Sequence, residues 1–109
     1  MNFEVKSIDL FEKQARRLIK KHPSLKNELL DLAHQIKKQP SLGTPLGHDC
    51  YKIRIAIKSK GKGKSGGGRV ITCVKIGKES IFLLTIFDKS EQSTISDKEL
   101  KELLKHIPD

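Results

Sequence analysis

Residues 51–75 read YKIRIAIKSKGKGKSGGGRVITCVK, and the rest of the chain can be interpreted outward from this stretch. Its first eight positions alternate, and the side chains of a strand point alternately to the two faces of a sheet. One face carries Tyr51, Ile53, Ile55 and Ile57, and the other carries Lys52, Arg54, Ala56 and Lys58. A second apolar run, VITCV at 70–74, follows Arg69 and predicts the return strand of a long hairpin. Basic side chains of two neighbouring strands are therefore expected to meet.

Glycine and lysine dominate the connection between these two predicted strands, GKGKSGGG at 61–68. Glycine is conformationally permissive and neighbouring lysines repel one another, so this loop is not expected to form regular structure unaided. It is a poor match to a nucleotide-binding phosphate loop, because the spacing differs and a strand follows it where a helix is required. We predict that the lysines of this region contact an anionic partner. They are Lys58, Lys60, Lys62 and Lys64.

The net charge of +9 is concentrated in the hairpin. Residues 49–78 contain nine lysines and arginines and one acidic residue, which is a net charge of +8. A positive field confined to one element favours a polyanionic partner. Nucleic acid is favoured over a membrane, because the chain has no basic amphipathic helix with exposed aromatic residues.

Length and cysteine content limit the organisation of the chain. With 109 residues it is predicted to form one domain, 1–109. The N-terminal residues MNFEVKSIDLF carry acidic groups and lack the apolar run of a secretion signal, so a cytoplasmic location is expected. Cys50 and Cys73 form no CxxC motif, and we expect them to be reduced, partly buried thiols that can approach each other across the hairpin.

Two amphipathic helices are predicted in the N-terminal part. Apolar residues recur at helical spacing after Asp9, which is the expected N-cap and forms a capping-box-like arrangement with Glu12. Pro23 is expected in the first turn of the second helix, which ends before Pro40, because proline suits the first helical turn and interrupts a helix interior. The two helices are expected to form an antiparallel hairpin.

The remaining elements complete the predicted fold. Residues 2–6 alternate as a short half-buried strand, and residues 81–87 are apolar on both faces, as expected for the middle strand of the sheet. Turn-forming residues predict a connector at 40–48. Ser96 and Glu99 predict a capping box ahead of a short C-terminal helix. The fold class is therefore α+β: a small antiparallel β-sheet with an N-terminal helical hairpin and a short C-terminal helix.

Three stretches together resemble the RelE/ParE superfamily of toxins from bacterial type II toxin-antitoxin systems: YKIRI at 51–55, GRVI at 68–71 and LLTIFDKSE at 83–91. The resemblance is nearest to the RelE-like and HigB-like branch and covers essentially the whole chain. It implies a RelE-like fold and an endoribonuclease that enters the ribosomal A site and cleaves messenger RNA without a metal or another cofactor. It also implies inhibition by a cognate antitoxin, of the helix-turn-helix type by likeness to HigB-like toxins.

The resemblance assigns candidate catalytic residues as well. Lys52 and Arg54 match the paired basic residues of the family's second strand. Arg69 matches the arginine that opens the third strand, Lys89 lies in the basic segment after the fourth, and Glu91 is a candidate base. Cleavage by the 2′-hydroxyl requires removal of a proton, stabilisation of charge at the phosphate and protonation of the leaving oxygen. The two arginines suit the phosphate oxygens, and a lysine crowded by other cations suits proton transfer.

Other functions are compatible with the same sequence. A ParE-like poison of DNA gyrase shares the fold and is not a nuclease. A non-catalytic basic RNA-binding domain holds phosphate with the same cations but does not cleave it. The basic residues of the strand also fit a solvated sheet face, and the charged residues after 81–87 fit an ordinary turn.

Overall fold

The fold is described from a computed structural model that covers residues 2–61, 63 and 66–108. Within these residues, three α-helices and five strands form an α+β fold with an N-terminal helical hairpin, as predicted, and with one strand more than expected. The elements are β1 (Glu4–Ser7), α1 (Asp9–Lys21), α2 (Leu25–Lys38), β2 (Thr44–Gly47), β3 (Cys50–Ile55), β4 (Gly68–Lys75), β5 (Ser80–Asp88) and α3 (Asp97–Leu104). Two short 3-10 helices lie at Lys58–Lys60 and Ile76–Lys78.

The five strands form one sheet in the order β1-β5-β4-β3-β2. The pairs from β2 to β5 are antiparallel, but β1 runs parallel to β5, so the sheet is mixed where an antiparallel sheet was expected. The middle strand is β4, whereas the prediction had placed residues 81–87 there. Alternation shows how a strand is buried, but it does not show which neighbours it acquires or in which direction they run. Strands β4 and β5 are almost entirely buried, which explains their largely apolar character.

The strand β2 was missed because its residues are typical of a connector. Pro45 pairs with Tyr51 at the edge of the sheet, which is where a strand tolerates proline. The connection to β3 is the two-residue turn His48-Asp49, with positive φ angles of 55° and 61°. Tight hairpin turns of this kind usually contain Asn-Gly, so the sequence carried no clear hairpin signal.

Helix α1 begins one residue earlier than expected. The N-cap position is Ile8, which makes no side-chain capping bond, and Asp9 is the first helical residue, so the predicted N-cap was wrong. The backbone N–H of Ile8 still donates to Leu83 O of β5, at 3.3 Å, and the helix follows directly from that contact. Glu12 instead accepts a hydrogen bond from Ser7 Oγ at 3.2 Å.

The predicted capping box of α3 is confirmed. Ser96 Oγ accepts from the backbone N–H of Glu99 at 3.1 Å, and the Glu99 side chain returns to the backbone N–H of Ser96. The core lies between the sheet and the apolar sides of the helices, and α1 packs on β5. In the part of the chain that the structure describes, no helix is both long and apolar enough to cross a membrane.

Candidate active site

Arg54 of β3 and Arg69 of β4 lie directly opposite each other in the sheet. Directly opposite residues in an antiparallel pair project to the same face, with Cβ atoms about 5 Å apart. Arg54 is exposed, whereas Arg69 retains only 4% of its exposure. The structure thus brings together the two arginines that the sequence had placed on separate strands.

The environment of Arg69 disfavours its charge. Burial and the neighbouring charge of Arg54 both lower the pKa of the Arg69 guanidinium. An arginine nevertheless stays protonated, because its ordinary pKa is above about 12. Its Nη1 donates to Gly68 O at 3.0 Å. Two adjacent cations, one of them buried, form a site at which an anion relieves like-charge repulsion.

Lys52 belongs to the same face, two residues before Arg54 on β3. Its side chain is half-buried, and Nζ donates to Thr94 Oγ1 at 3.4 Å, so it reaches the segment that leads into α3. We call Lys52, Arg54 and Arg69 the basic sheet face. Its three cations come from two neighbouring strands, as the alternation in the sequence predicted.

Lys89 and Glu91 lie in the exposed turn that follows β5. The backbone N–H of Lys89 donates to Gly67 O at 3.0 Å, and that of Glu91 donates to Asp88 O at 3.0 Å. The first of these bonds brings the turn beside the start of β4, where Arg69 is located. The structure therefore places the turn next to the basic sheet face through its backbone.

The loop lysines do not share one environment. The side chain of Lys58 is exposed, and its backbone N–H donates to Glu28 Oε2 of α2 at 2.8 Å. The Lys60 side chain is only 13% exposed, and its ammonium donates to Asp88 Oδ1 and, at 3.3 Å, to Gly66 O. Its charge is thus engaged inside the fold. Lys62 and Lys64 lie outside the described residues.

Asp88 was not among the candidate site residues that the sequence indicated; it is one of the charged residues after 81–87, which also fit an ordinary turn. This carboxylate is 3% exposed, and Oδ1 accepts from Lys60 Nζ and from Ser90 N and Oγ, each of the latter at 2.9 Å. His22 Nε2 lies 3.6 Å from Oδ2. Burial opposes ionisation, but the hydrogen bonds and charge of Lys60, together with the bonds from Ser90, lower the pKa of Asp88 to about 2. We call Asp88, Lys60, Ser90 and His22 the anchor cluster.

A local signal for part of this cluster was present in the sequence. Aspartate side chains often accept from the backbone two residues later, and Asp88 and Ser90 have this spacing. The sequence could not have identified the other two members of the cluster. Lys60 is 28 residues away from Asp88, and His22 lies at the C-terminal end of α1.

The two cysteines lie opposite each other on β3 and β4. Both are free thiols and almost fully buried, at 1% and 0% exposure. A hydrogen bond with Cys73 and burial raise the pKa of the Cys50 thiol. Across the described ranges, no three histidine, cysteine or acidic side chains are grouped as metal ligands.

Comparison with known proteins relates this arrangement to a family. A sequence-family model described as the RelE toxin of the RelE / RelB toxin-antitoxin system matches residues 9–107. The chain belongs to the RelE toxin family. This membership agrees with the resemblance found in the sequence, and it makes the protein a toxin of a toxin-antitoxin system.

Two solved structures of E. coli RelE share the fold. A mutant of that RelE toxin in the free state superimposes with a TM-score of 0.67 and 19% identity, covering 99% of this chain and 100% of the other. A crystal structure of the isolated E. coli RelE toxin gives a TM-score of 0.50 and 19% identity, covering 98% and 100%. The RelE fold thus accounts for almost the whole chain.

Proposed function

We propose that this RelE-family toxin is a ribosome-dependent endoribonuclease that cleaves messenger RNA and so inhibits translation. The observation that carries the proposal is the cross-strand pair of Arg54 and Arg69, one exposed and one buried, on the basic sheet face. A solvated sheet face has no need of a buried arginine opposite a second arginine, because like charges directly opposite each other destabilise a sheet.

The arginine pair suits the transition state of RNA cleavage. Attack by the 2′-hydroxyl on the adjacent phosphate places additional negative charge on the non-bridging oxygens. A guanidinium matches two such oxygens at once and keeps its proton throughout. Arg69 is held by the strand and by Gly68 O, so it is ordered before substrate arrives. We assign Arg54 and Arg69 to the stabilisation of this charge.

Proton transfer is assigned to the remaining candidates. Lys52 on the basic sheet face and Lys89 in the neighbouring turn are candidates for moving protons at the attacking and leaving oxygens. Glu91 is a candidate base. Lys58, with its exposed side chain, is assigned to the RNA backbone, as are Lys62 and Lys64 from the sequence alone. No metal or other cofactor enters this scheme.

The proposal includes the partners expected of such a toxin. A cognate antitoxin that is encoded beside the toxin and carries a helix-turn-helix domain is expected to neutralise it. The ribosome with its messenger RNA is the target. A cytoplasmic location follows from that target. An acidic segment of the antitoxin suits the basic sheet face by charge.

The test is induced expression of the wild type and of the Arg54→Ala, Arg69→Ala double variant in a bacterial host. Growth is recorded, and the 5′ ends of translated messenger RNAs are mapped. We expect in-frame cuts and growth arrest with the wild type, and cleavage reduced by about a thousandfold in the variant, since one donor to such a transition state contributes about a hundredfold or more.

The Arg16→Ala, Arg17→Ala double variant is the matched control. It removes the same charge from exposed positions of α1 and is expected to cleave like the wild type. Growth arrest without cuts contradicts the nuclease proposal and favours a gyrase poison, which a DNA supercoiling assay detects. RNA binding without cuts or arrest indicates a non-catalytic binding domain.

A further inference from the structure

The anchor cluster buries a carboxylate at the end of a largely apolar strand. A buried charge is unfavourable unless it is paired and hydrogen-bonded. Asp88 meets both conditions, with three hydrogen bonds on Oδ1 alone. The cluster is therefore a built feature of the fold, although none of its members lies on the basic sheet face.

The cluster joins parts of the chain that are far apart in sequence. Lys60 Nζ donates both to Asp88 at the end of β5 and to Gly66 O ahead of β4. One ammonium thus fixes both sides of the glycine-lysine connection against β5. Ser90, on the other side of Lys89, binds the same carboxylate oxygen through its backbone and its hydroxyl.

The fixed positions are immediate neighbours of candidate catalytic residues. Asp88 pairs with Gly68, which precedes Arg69, and Asp88 itself precedes Lys89. The backbone N–H of Lys89 in turn donates to Gly67 O. We call the place where Gly67 and Gly68 meet Asp88 and Lys89 the junction. It has little freedom, because a Cβ on Gly67 would lie 2.1 Å from Ile55 O of β3. A displacement of the anchor cluster is therefore expected to move both the start of β4 and the turn after β5.

We propose that Asp88 is a positioning residue of this site, whose buried carboxylate, held by Lys60 and Ser90, sets the placement of Lys89 relative to Arg69. The inference rests on the proposed nuclease function and deepens it. It assigns Lys60 to the same task, so the lysine acts through Asp88 and not on RNA. A displacement of about 1 Å at a reacting group lowers a rate by about a hundredfold.

The experiment measures single-turnover cleavage of messenger RNA on programmed ribosomes by the purified toxin. The variants are Asp88→Asn, which keeps the shape but removes the charge, Lys60→Met and Lys60→Arg. Matched controls are Glu102→Gln and Lys105→Met, which break an exposed ion pair at the C-terminal end of α3. All are assayed at a temperature at which urea titration shows the protein to be folded.

We expect the cleavage rate constant to fall by between about tenfold and a hundredfold in Asp88→Asn and Lys60→Met. The toxin concentration that gives half the maximal rate should change by less than about twofold, because phosphate-binding cations remain. Lys60→Arg should recover part of the rate, since it restores a charged donor. The amide NMR signals of Gly67 and Arg69, which are not sequence neighbours of Asp88, should shift in Asp88→Asn and stay in place in both controls.

A purely structural role predicts a different result. Folded Asp88→Asn would then cleave at the wild-type rate with unshifted amide signals, and this outcome overturns the positioning role while leaving the nuclease proposal intact. Absence of cleavage by the wild type overturns both proposals. If Lys60→Met instead needs a higher toxin concentration for half the maximal rate and keeps the maximal rate itself, the positioning role is also overturned, because this result assigns Lys60 to RNA binding.

Discussion

Arg69 and Asp88 are buried at neighbouring positions of the same sheet end, at 4% and 3% exposure, yet their surroundings are opposite. The pKa of both groups is lowered. For Asp88 this means that the hydrogen bonds and charge of Lys60 favour the ionised form despite burial. For Arg69 it means that burial and the charge of Arg54 disfavour the ionised form. One buried charge thus lies beside an opposite charge, and the other lies beside a like charge.

This contrast separates two uses of buried charge in a small protein. In the anchor cluster the charge of Asp88 is paired with that of Lys60. Loss of this pair should therefore mainly destabilise the protein and displace the residues next to it in the sheet. The basic sheet face places two like charges directly opposite each other, so substitutions there should mainly affect the proposed RNA binding and cleavage. The changes below test this division, from the largest expected effect on stability to the smallest.

The largest effect is expected for Asp88→Asn. Removing one partner of a buried ion pair leaves the Lys60 ammonium without its counter-charge, so the free energy of unfolding should fall by about 3 kcal/mol or more. Urea unfolding at neutral pH measures this difference. Glu102→Gln, which breaks an exposed pair, should change stability by less than about 1 kcal/mol. Equal losses of stability in the two variants would show that the buried pair of Asp88 and Lys60 contributes no more than an exposed ion pair.

A change of backbone at the junction comes next. Gly67→Ala places a methyl group 2.1 Å from Ile55 O, and the strands must separate to accept it. We expect a loss of about 2 to 3 kcal/mol in the free energy of unfolding, as for other overpacked sites. Gly77→Ala is the control, because its added methyl group has no atom within 4 Å. A neutral Gly67→Ala would show that the junction is looser than the structure indicates.

The pH dependence of stability provides a third test. Because the pKa of Asp88 is about 2 in the folded state and about 3.9 in an unfolded chain, its stabilisation is fully present above about pH 4 and is lost as the pH falls toward 2. This contribution is about 2 kcal/mol. The stability difference between the wild type and Asp88→Asn should shrink by that amount between about pH 5 and pH 2. If the free energies of unfolding of the two proteins changed in parallel with pH, Asp88 would not be an ionised residue stabilised by its hydrogen bonds.

The smallest effect, and one of opposite sign, is expected on the basic sheet face. Arg54→Gln removes a like charge directly opposite Arg69, so the protein should become more stable by about 0.5 kcal/mol. Urea unfolding at low and high salt measures it, and the gain should diminish at high salt because exposed charges are screened. Stabilisation together with loss of cleavage would mark Arg54 as a residue kept for function. A destabilised variant would argue against repulsion within the pair.

Much of the fold was accessible from local pattern. Alternation from Tyr51 to Lys58 identified β3 and the face on which Lys52 and Arg54 lie. Helical spacing identified α1 and α2, and Ser96 with Glu99 identified the start of α3. These predictions succeeded because each depends only on residues that are close to one another in the sequence, within one or two helical turns or a few positions of a strand. The errors at Asp9 and in residues 44–47 arose where sheet pairing overrode the local preference.

By itself, the sequence determined the fold class and the charge distribution of this protein: an α+β fold, a hairpin that concentrates the positive charge, and a basic face beginning with Lys52 and Arg54. Only the tertiary structure decided that β1 runs parallel to β5, that Arg69 is buried opposite Arg54, and that Lys60 turns inward to Asp88. The physical reason is that periodicity records which side of an element is buried. The partner of a buried charge depends instead on which distant segments the packed core brings together, and here those segments are 28 residues apart.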